Sequence, residues 1–181
     1  IGEFFAAADI IIMEGYGLSE TSPVLTANSP ENIRFGSVGK ALFNVDIKIA
    51  EDGEIQAKGP NIMMGYYNNE AATREVIDAE GWFYTGDIGH LDDDGYLFIT
   101  DRKKNILVTS GGKNVAPAQI ENALTNSPYI EQTIVIGDNR NFISALIVPA
   151  QEVVEMELSR QGKSVSGSDI MSNHPDVIAL I

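Results

Sequence analysis

The chain has 181 residues, 44% apolar and 21% charged, and a formal net charge of −14 from 26 acids against 12 bases. That length holds one domain or two small ones and can bury a real core, while the acid excess argues against general nucleic-acid binding and against adhesion to anionic membranes. Cysteine is absent and the two histidines, His90 and His174, lie far apart, which excludes disulfides, thiolate nucleophiles and a multi-histidine metal site within one chain. No apolar run reaches the ~18 residues of a membrane-spanning helix. The sequence therefore reads as cytoplasmic.

Ile10 to Met13 reads as an apolar strand leading into a glycine turn. Val45, Ile47 and Ile49 alternate with Asp46 and Lys48, the period of a half-buried strand. Asp52-Gly53 supplies a turn, and Glu54 to Lys58 returns with the same alternation. Asn69 caps a short helix through about Ile77, and Gly81 ends the connection after it. Ile88 to Leu91, the turn Asp92-Asp93-Asp94-Gly95 and Tyr96 to Thr100 form a second hairpin. Pro117 suits the first turn of a helix whose buried face carries Ile120, Ala123 and Leu124. Ile130 to Ile136 and Phe142 to Val148 are strands, and Gln151 to about Gln161 is a helix closed by Gly162. Residues 162–169 are a candidate loop. The fold class is α+β, mostly antiparallel strand over 1–100 and mixed over 101–181, with the break near Asp101.

Charge is uneven: residues 51–100 carry 11 acids and 2 bases, whereas 101–150 carry 4 acids and 5 bases. The basic run Arg102, Lys103, Lys104, with Lys113 nearby, is either a solvated patch or an anion site in an otherwise repelling field. Several motifs fail. A calcium loop starting at Asp92 would put Lys103 where a glutamate is required. Gly39-Lys40 and Gly112-Lys113 lack the rest of a phosphate-binding loop, and Gly15-Tyr16-Gly17 lacks the third glycine of a dinucleotide fingerprint. His90 reads as structural.

Four segments keep the chemistry of a nucleotide site. In Glu14 to Thr21, glycines flank Tyr16, which can stack on a base; Ser19 offers a hydroxyl to phosphate and Glu20 a hard oxygen to Mg²⁺. Read blandly, this is a turn after a strand. In Gly81 to Asp87, a carboxylate on a tight glycine turn can accept two hydrogen bonds from a ribose diol, or simply cap its own turn. Asp101 to Lys104 stands at the break. Thr109 to Asn114 is a glycine loop that can present amides to an anion or lie against an extended ligand.

In this order and spacing, and with Gly53-Glu54-Ile55 to Gly65-Tyr66 as a fifth signature, the segments resemble the adenylate-forming superfamily. Gly112 to Asn122, and Ala145 to Pro149 followed by an inserted helix, look most like long-chain fatty-acid–CoA ligases; aryl-acid ligases are the nearest alternative. The resemblance covers about Glu14 to Val148. It implies a distorted antiparallel β-barrel-like subdomain over 1–100, the end of a large AMP-binding domain, followed by a small mixed α/β lid domain over 101–181. It implies ATP, Mg²⁺ and CoA as cofactors and substrates, with a fatty acid as the other substrate and no nucleic acid as partner. Tyr16, with Gly17 beside it, would stack on adenine. Ser19, where the family usually has threonine, would reach the phosphate. Glu20 would hold Mg²⁺, Asp87 and Arg102 the ribose, and Gly111 and Gly112 the pantetheine arm. Asp101 would be the hinge. The family's Ser/Thr/Gly-rich phosphate loop and its catalytic lysine have no counterpart here; Lys163, the last lysine, stands in another context. The expectation is therefore an inactive fragment, cut at both ends from a larger ligase. A non-catalytic binding module is the remaining alternative. Any membrane contact of a lipid-handling parent would be peripheral, and nothing in the sequence sets an oligomeric state.

Overall fold

In the computed structural model, which describes residues 2–163 and 174–181, every paired strand runs antiparallel to its neighbour. The chain divides into two compact units, residues 1–104 and 105–181, the break following Lys104.

The first unit begins with α1 (Gly2–Ala6). Ile10 to Met13, expected as a strand, forms none: Ile10, Ile11 and Met13 are exposed. An apolar run becomes a strand only where a neighbour supplies backbone partners, and no described strand pairs with this one. β1 (Gly15–Gly17), β2 (Val24–Ala27) and β3 (Lys40–Ala41) form one sheet. β4 (Asp46–Ile49), β5 (Glu54–Lys58), β6 (Phe83–Leu91) and β7 (Leu97–Arg102) form a second, in that order. Val38 N donates to Leu97 O at 2.8 Å and Leu97 N to Gly39 O at 2.9 Å, joining the segment before β3 to β7. The sheets curl into a half-barrel around Leu25, Val45 and Ala57, with Tyr16, Leu18, Ile47 and Ile62 packed against them.

Both expected hairpins are present. In the first, Ile47 pairs with Ala57 and Lys48 with Gln56. The alternation predicts one solvated face for β5, yet Glu54, Ile55, Gln56 and Ala57 are all buried. β5 is an interior strand, and Glu54 on its second face has partners of its own. In the second hairpin, Asp92 Oδ1 accepts the N–H groups of Asp94 (3.0 Å) and Tyr96 (2.8 Å). Arg34 pairs with Asp92 and Asp94 at 2.7 and 2.6 Å, so the acid run is a turn pinned by a distant arginine. His90 stacks on Phe98 at 5.1 Å. Between the hairpins lies α2 (Glu70–Val76), its Ala72 N–H capped by Asn69 Oδ1 at 3.1 Å.

The second unit carries β8 (Leu107–Val108) and β9 (Asn114–Val115), then α3 (Pro117–Thr125), which packs along β10 (Ile130–Ile136); β10 pairs with β11 (Ser144–Pro149). Ile120 and Leu124 are half-buried as expected, but Ala123 is exposed. Glu121 is half-buried instead; its Oε1 accepts the Val135 N–H at 2.9 Å. α4 (Gln151–Arg160) and α5 (Pro175–Leu180) meet in a cluster of Val154, Leu158 and Val177. Lys163 N donates to Leu158 O at 2.9 Å, closing α4, and Lys163 Nζ pairs with Asp176. From residue 164 to 169 the expected loop lies outside the described residues. No helix among the described residues is long and apolar enough to cross a membrane.

Candidate nucleotide site

Tyr16 lies on β1 where the pairing with β2 slips: Tyr16 faces Thr26 but Gly17 faces Val24. A Cβ on Gly17 would stand 1.6 Å from Pro23 O, so the chain's own backbone demands glycine there. The turn that follows is tightly held. Leu18 N donates to Thr21 Oγ1 at 2.9 Å, the Thr21 hydroxyl donates to Pro23 O at 2.7 Å, and Met63 N donates to Glu20 O at 2.8 Å. Ser19 is exposed on this turn. Glu20 is half-buried, and its Oε1 accepts the Tyr66 hydroxyl at 3.0 Å. Burial, and then the Glu20 carboxylate, push the Tyr66 phenol up.

Asp87 does not sit on a turn. Phe83 onward is strand, and β6 bulges against β5: Gln56 faces Tyr84, but Glu54 faces Ile88. Gly86 lies in the bulge at φ +73° with open space around it, so the backbone conformation alone favours glycine. Thr85 Oγ1 donates to Ile55 O (2.8 Å) and accepts from Asp87 N (3.1 Å), and Gly86 N donates to Glu54 Oε1 (2.9 Å). The bulge turns the Asp87 carboxylate, only 4% exposed, toward β1 and β7. Its Oδ2 accepts the Tyr16 hydroxyl at 2.6 Å and its Oδ1 pairs with Arg102 Nε at 3.2 Å. Burial, followed by the Asp87 hydrogen bond, holds the Tyr16 phenol well above its ordinary value. Tyr16, Gly17, Leu18, Asp87, Asp101 and Arg102 line a cleft of about 410 Å³. A carboxylate offers about four acceptor positions; two are taken, by Tyr16 and Arg102, which leaves acceptor capacity facing the cleft.

A second cleft of about 460 Å³ shares Leu18 and adds Glu20, Glu54, Tyr66, Gly86 and Lys103. Lys103 Nζ lies 2.7 Å from both Asp52 Oδ2 and Glu54 Oε2. Those bonds raise the lysine above its ordinary pKa, and the Lys103 bond holds Asp52 below the usual carboxylate value. Two cations of the basic run are thus already paired, Arg102 with Asp87 and Lys103 with Asp52 and Glu54. Asp101 lies within β7 opposite Ile88, 8% exposed, and its Oδ1 accepts the Arg102 N–H at 2.7 Å.

Tyr16, Gly17, Asp87 and Arg102 therefore share one cleft and Glu20 the next. Gly111 and Gly112 belong to the second unit. They occupy the β8–β9 loop with open space around both; Ser110 N donates to Arg140 O at 3.0 Å beside them. Glu54 and Tyr66 are further residues of the second cleft. They stand within the fifth signature, but nothing local marks a strand glutamate as the partner of a bulge thirty-two residues away. Among the described residues no cluster of three or more His, Cys, Asp or Glu is placed to hold a metal. Mg²⁺ commonly binds through one or two carboxylates plus substrate phosphates, and a single Glu20 fits that habit.

A family profile described as AMP-binding enzyme matches residues 1–67, and one described as AMP-binding enzyme C-terminal domain matches residues 104–167. The chain is 44% identical over its full length to the long-chain-fatty-acid–CoA ligase FadD15 of Mycobacterium bovis, of which it covers 30%. It is 46% identical, over 80% of its length, to the long-chain-fatty-acid–CoA ligase ACSBG1 of Bos taurus, of which it covers 21%. The o-succinylbenzoate coenzyme A synthetase MenE of Bacillus subtilis, solved in complex with AMP, superposes with a TM-score of 0.71 at 32% identity, over 94% of this chain and 35% of that one. The same enzyme in complex with ATP and magnesium superposes at 0.70. The chain thus spans less than a third of the length of these curated relatives. The two profiles together cover most of the chain in order, and the Tyr16–Asp87–Arg102 cleft lies within the first unit: the chain belongs to the AMP-binding enzyme family.

Proposed function

We propose that this chain is part of an ATP-dependent acid–thiol ligase for long-chain fatty acids. The fatty carboxylate attacks the α-phosphate of ATP and expels pyrophosphate; the CoA thiol then attacks the acyl-adenylate and releases AMP. The logic is activation of a poor acyl donor, since AMP leaves readily and a carboxylate oxygen does not. The observation that carries the reading is the contact of Tyr16 and Arg102 with one buried carboxylate, Asp87, in one cleft.

The roles are those the family resemblance implies, and the cleft supports those of Tyr16, Asp87 and Arg102. The Tyr16 ring stacks on adenine while its hydroxyl stays on Asp87. Asp87 uses its remaining acceptor positions for the ribose hydroxyls, with Arg102 beside it. Ser19 donates to the phosphate, and Glu20 would hold Mg²⁺, which would supply charge stabilisation to the phosphates. Asp101, at the end of β7, is the hinge, residues 101–181 form the lid, and Gly111 and Gly112 meet the pantetheine arm of CoA. Identities of 44 and 46% to fatty-acid ligases, against 32% to an aryl-acid synthetase, support a fatty acid over an aryl acid. We place the enzyme in the cytoplasm.

The 181-residue chain alone is inactive on this reading. It contains neither the phosphate loop nor the lysine that would stabilise charge at the α-phosphate, and such preorganised stabilisation usually dominates this kind of catalysis. ATP–pyrophosphate exchange tests both halves. The longer protein that carries this chain should exchange with palmitate, and the isolated chain should not. Exchange by the isolated chain at an enzyme-like rate, or none by the longer protein with any long-chain acid, overturns the proposal.

A further inference from the structure

Glu54 lies in β5 with its side chain 5% exposed, and its two oxygens reach β6 and the residue just past the end of β7. Oε1 accepts the Gly86 N–H at 2.9 Å; Oε2 accepts from Lys103 Nζ at 2.7 Å. Gly86 immediately precedes Asp87, and Lys103 immediately follows Arg102. Asp87 and Arg102 face each other in register across β6 and β7. One buried carboxylate therefore grips the chain neighbour of each member of the Asp87–Arg102 pair.

The physical need is visible at the bulge. Extra residues in a β-bulge leave the ladder, and their N–H groups need another acceptor. Glu54 is that acceptor for Gly86, while Thr85 Oγ1 serves the same purpose for Asp87 N. A charge inside a strand is costly unless it is paired and hydrogen-bonded, and Lys103 completes the pairing from the far side. Asp52 gives Lys103 a second anchor but does not reach the bulge.

We propose that Glu54 is a positioning residue for nucleotide binding: it fixes the bulge that presents Asp87 and the end of β7 that presents Arg102. The inference rests on the reading of Asp87 and Arg102 as ribose contacts, and the two stand or fall on different measurements.

Two readouts test it: amide exchange at Gly86 in this chain, and KM for ATP against kcat in the longer protein. Glu54→Ala should speed Gly86 exchange about tenfold or more, and should raise KM for ATP by about tenfold with kcat changed far less. Glu54→Gln keeps an oxygen for Gly86 but no acceptor for Lys103; it should leave Gly86 exchange near wild type and raise KM only about threefold. If Glu54→Ala does not fold, Glu54→Gln and Lys103→Met carry the test, both raising KM while Gly86 stays protected. Asp87→Ala is the control for the underlying reading. If it leaves KM for ATP unchanged, the ribose assignment falls, and Gly86 exchange still decides whether Glu54 holds the bulge. If Asp87→Ala raises KM but the Glu54 variants do not, or if Gly86 exchange ignores Glu54→Ala, the positioning role is overturned.

Discussion

Tyr16→Phe removes one oxygen and keeps the ring, so it isolates the bond to Asp87. That bond is 2.6 Å long and ends on a carboxylate whose side chain is 5% exposed. Its loss leaves Oδ2 of a buried anion without this donor, and a hydrogen bond to a charged group contributes about 1.5–3 kcal/mol. Trp82 is the only tryptophan and lies in the first unit, so its fluorescence reports that unit alone. With an m-value of about 1–3 kcal/mol/M, the urea midpoint read at Trp82 should fall by about 1 M in the variant. The phenol adds a pH signature. Its folded-state pKa is raised above the ordinary 10.0, so the stability linked to it is whole below that pH and is lost as the pH climbs past it. The gap between wild type and Tyr16→Phe should therefore be constant at neutral pH and shrink above 10.0. A midpoint change under about 0.2 M, or a gap that grows with alkali, refutes the claim that this bond holds the cleft.

Three further outcomes follow from the same geometry. Gly17→Ala drives a Cβ into Pro23 O, a backbone atom that no rotamer change can move. Overpacking costs about 1–3 kcal/mol, and a variant as stable as wild type in urea contradicts the strand slip at β1. Lys103→Met leaves Glu54 with Gly86 alone, at a cost of about 1–3 kcal/mol. Because Asp52 is held below its ordinary 3.8, its part of the lysine's contribution is present above that pH and lost as the pH falls through it. The gap between wild type and Lys103→Met should narrow in acid melts below 3.8; a gap that widens there counts against the clamp. In the second unit, Glu121→Ala strips the Val135 N–H of its side-chain acceptor. Exchange at Val135 should accelerate by about tenfold, and unchanged protection contradicts the contact.

The elements legible in the sequence are those whose cause is local. The hairpin turns at Asp52-Gly53 and Asp92 to Gly95, the Asn69 cap, Pro117 at a helix start and Gly162 after α4 each act within a few residues. What escaped depends on distance along the chain. Arg34 reaches its acids 58 and 60 residues away, Glu54 reaches Lys103 across 49, and Tyr16 reaches Asp87 across 71. Hydrophobic period describes a strand's own alternation, not how many sheets cover it, so β5 reads as half-buried and is buried on both faces. The same limit explains Ile10 to Met13 and the exchange of places between Ala123 and Glu121. The Asp87 segment reads as a turn because glycines punctuate it; a bulge inside a strand uses the same residues for the same conformational reason.

The central claim is that Asp87 binds the ribose of ATP, and equilibrium binding of ATP to the Asp87→Ala variant tests it most directly. The measurement belongs in the longer protein, with cooperative urea unfolding used to verify that the variant is folded. Two hydrogen bonds to a buried carboxylate, about 2–4 kcal/mol together, correspond to a loss of affinity of about 30- to 1,000-fold. A folded Asp87→Ala protein that binds ATP as tightly as wild type contradicts the account.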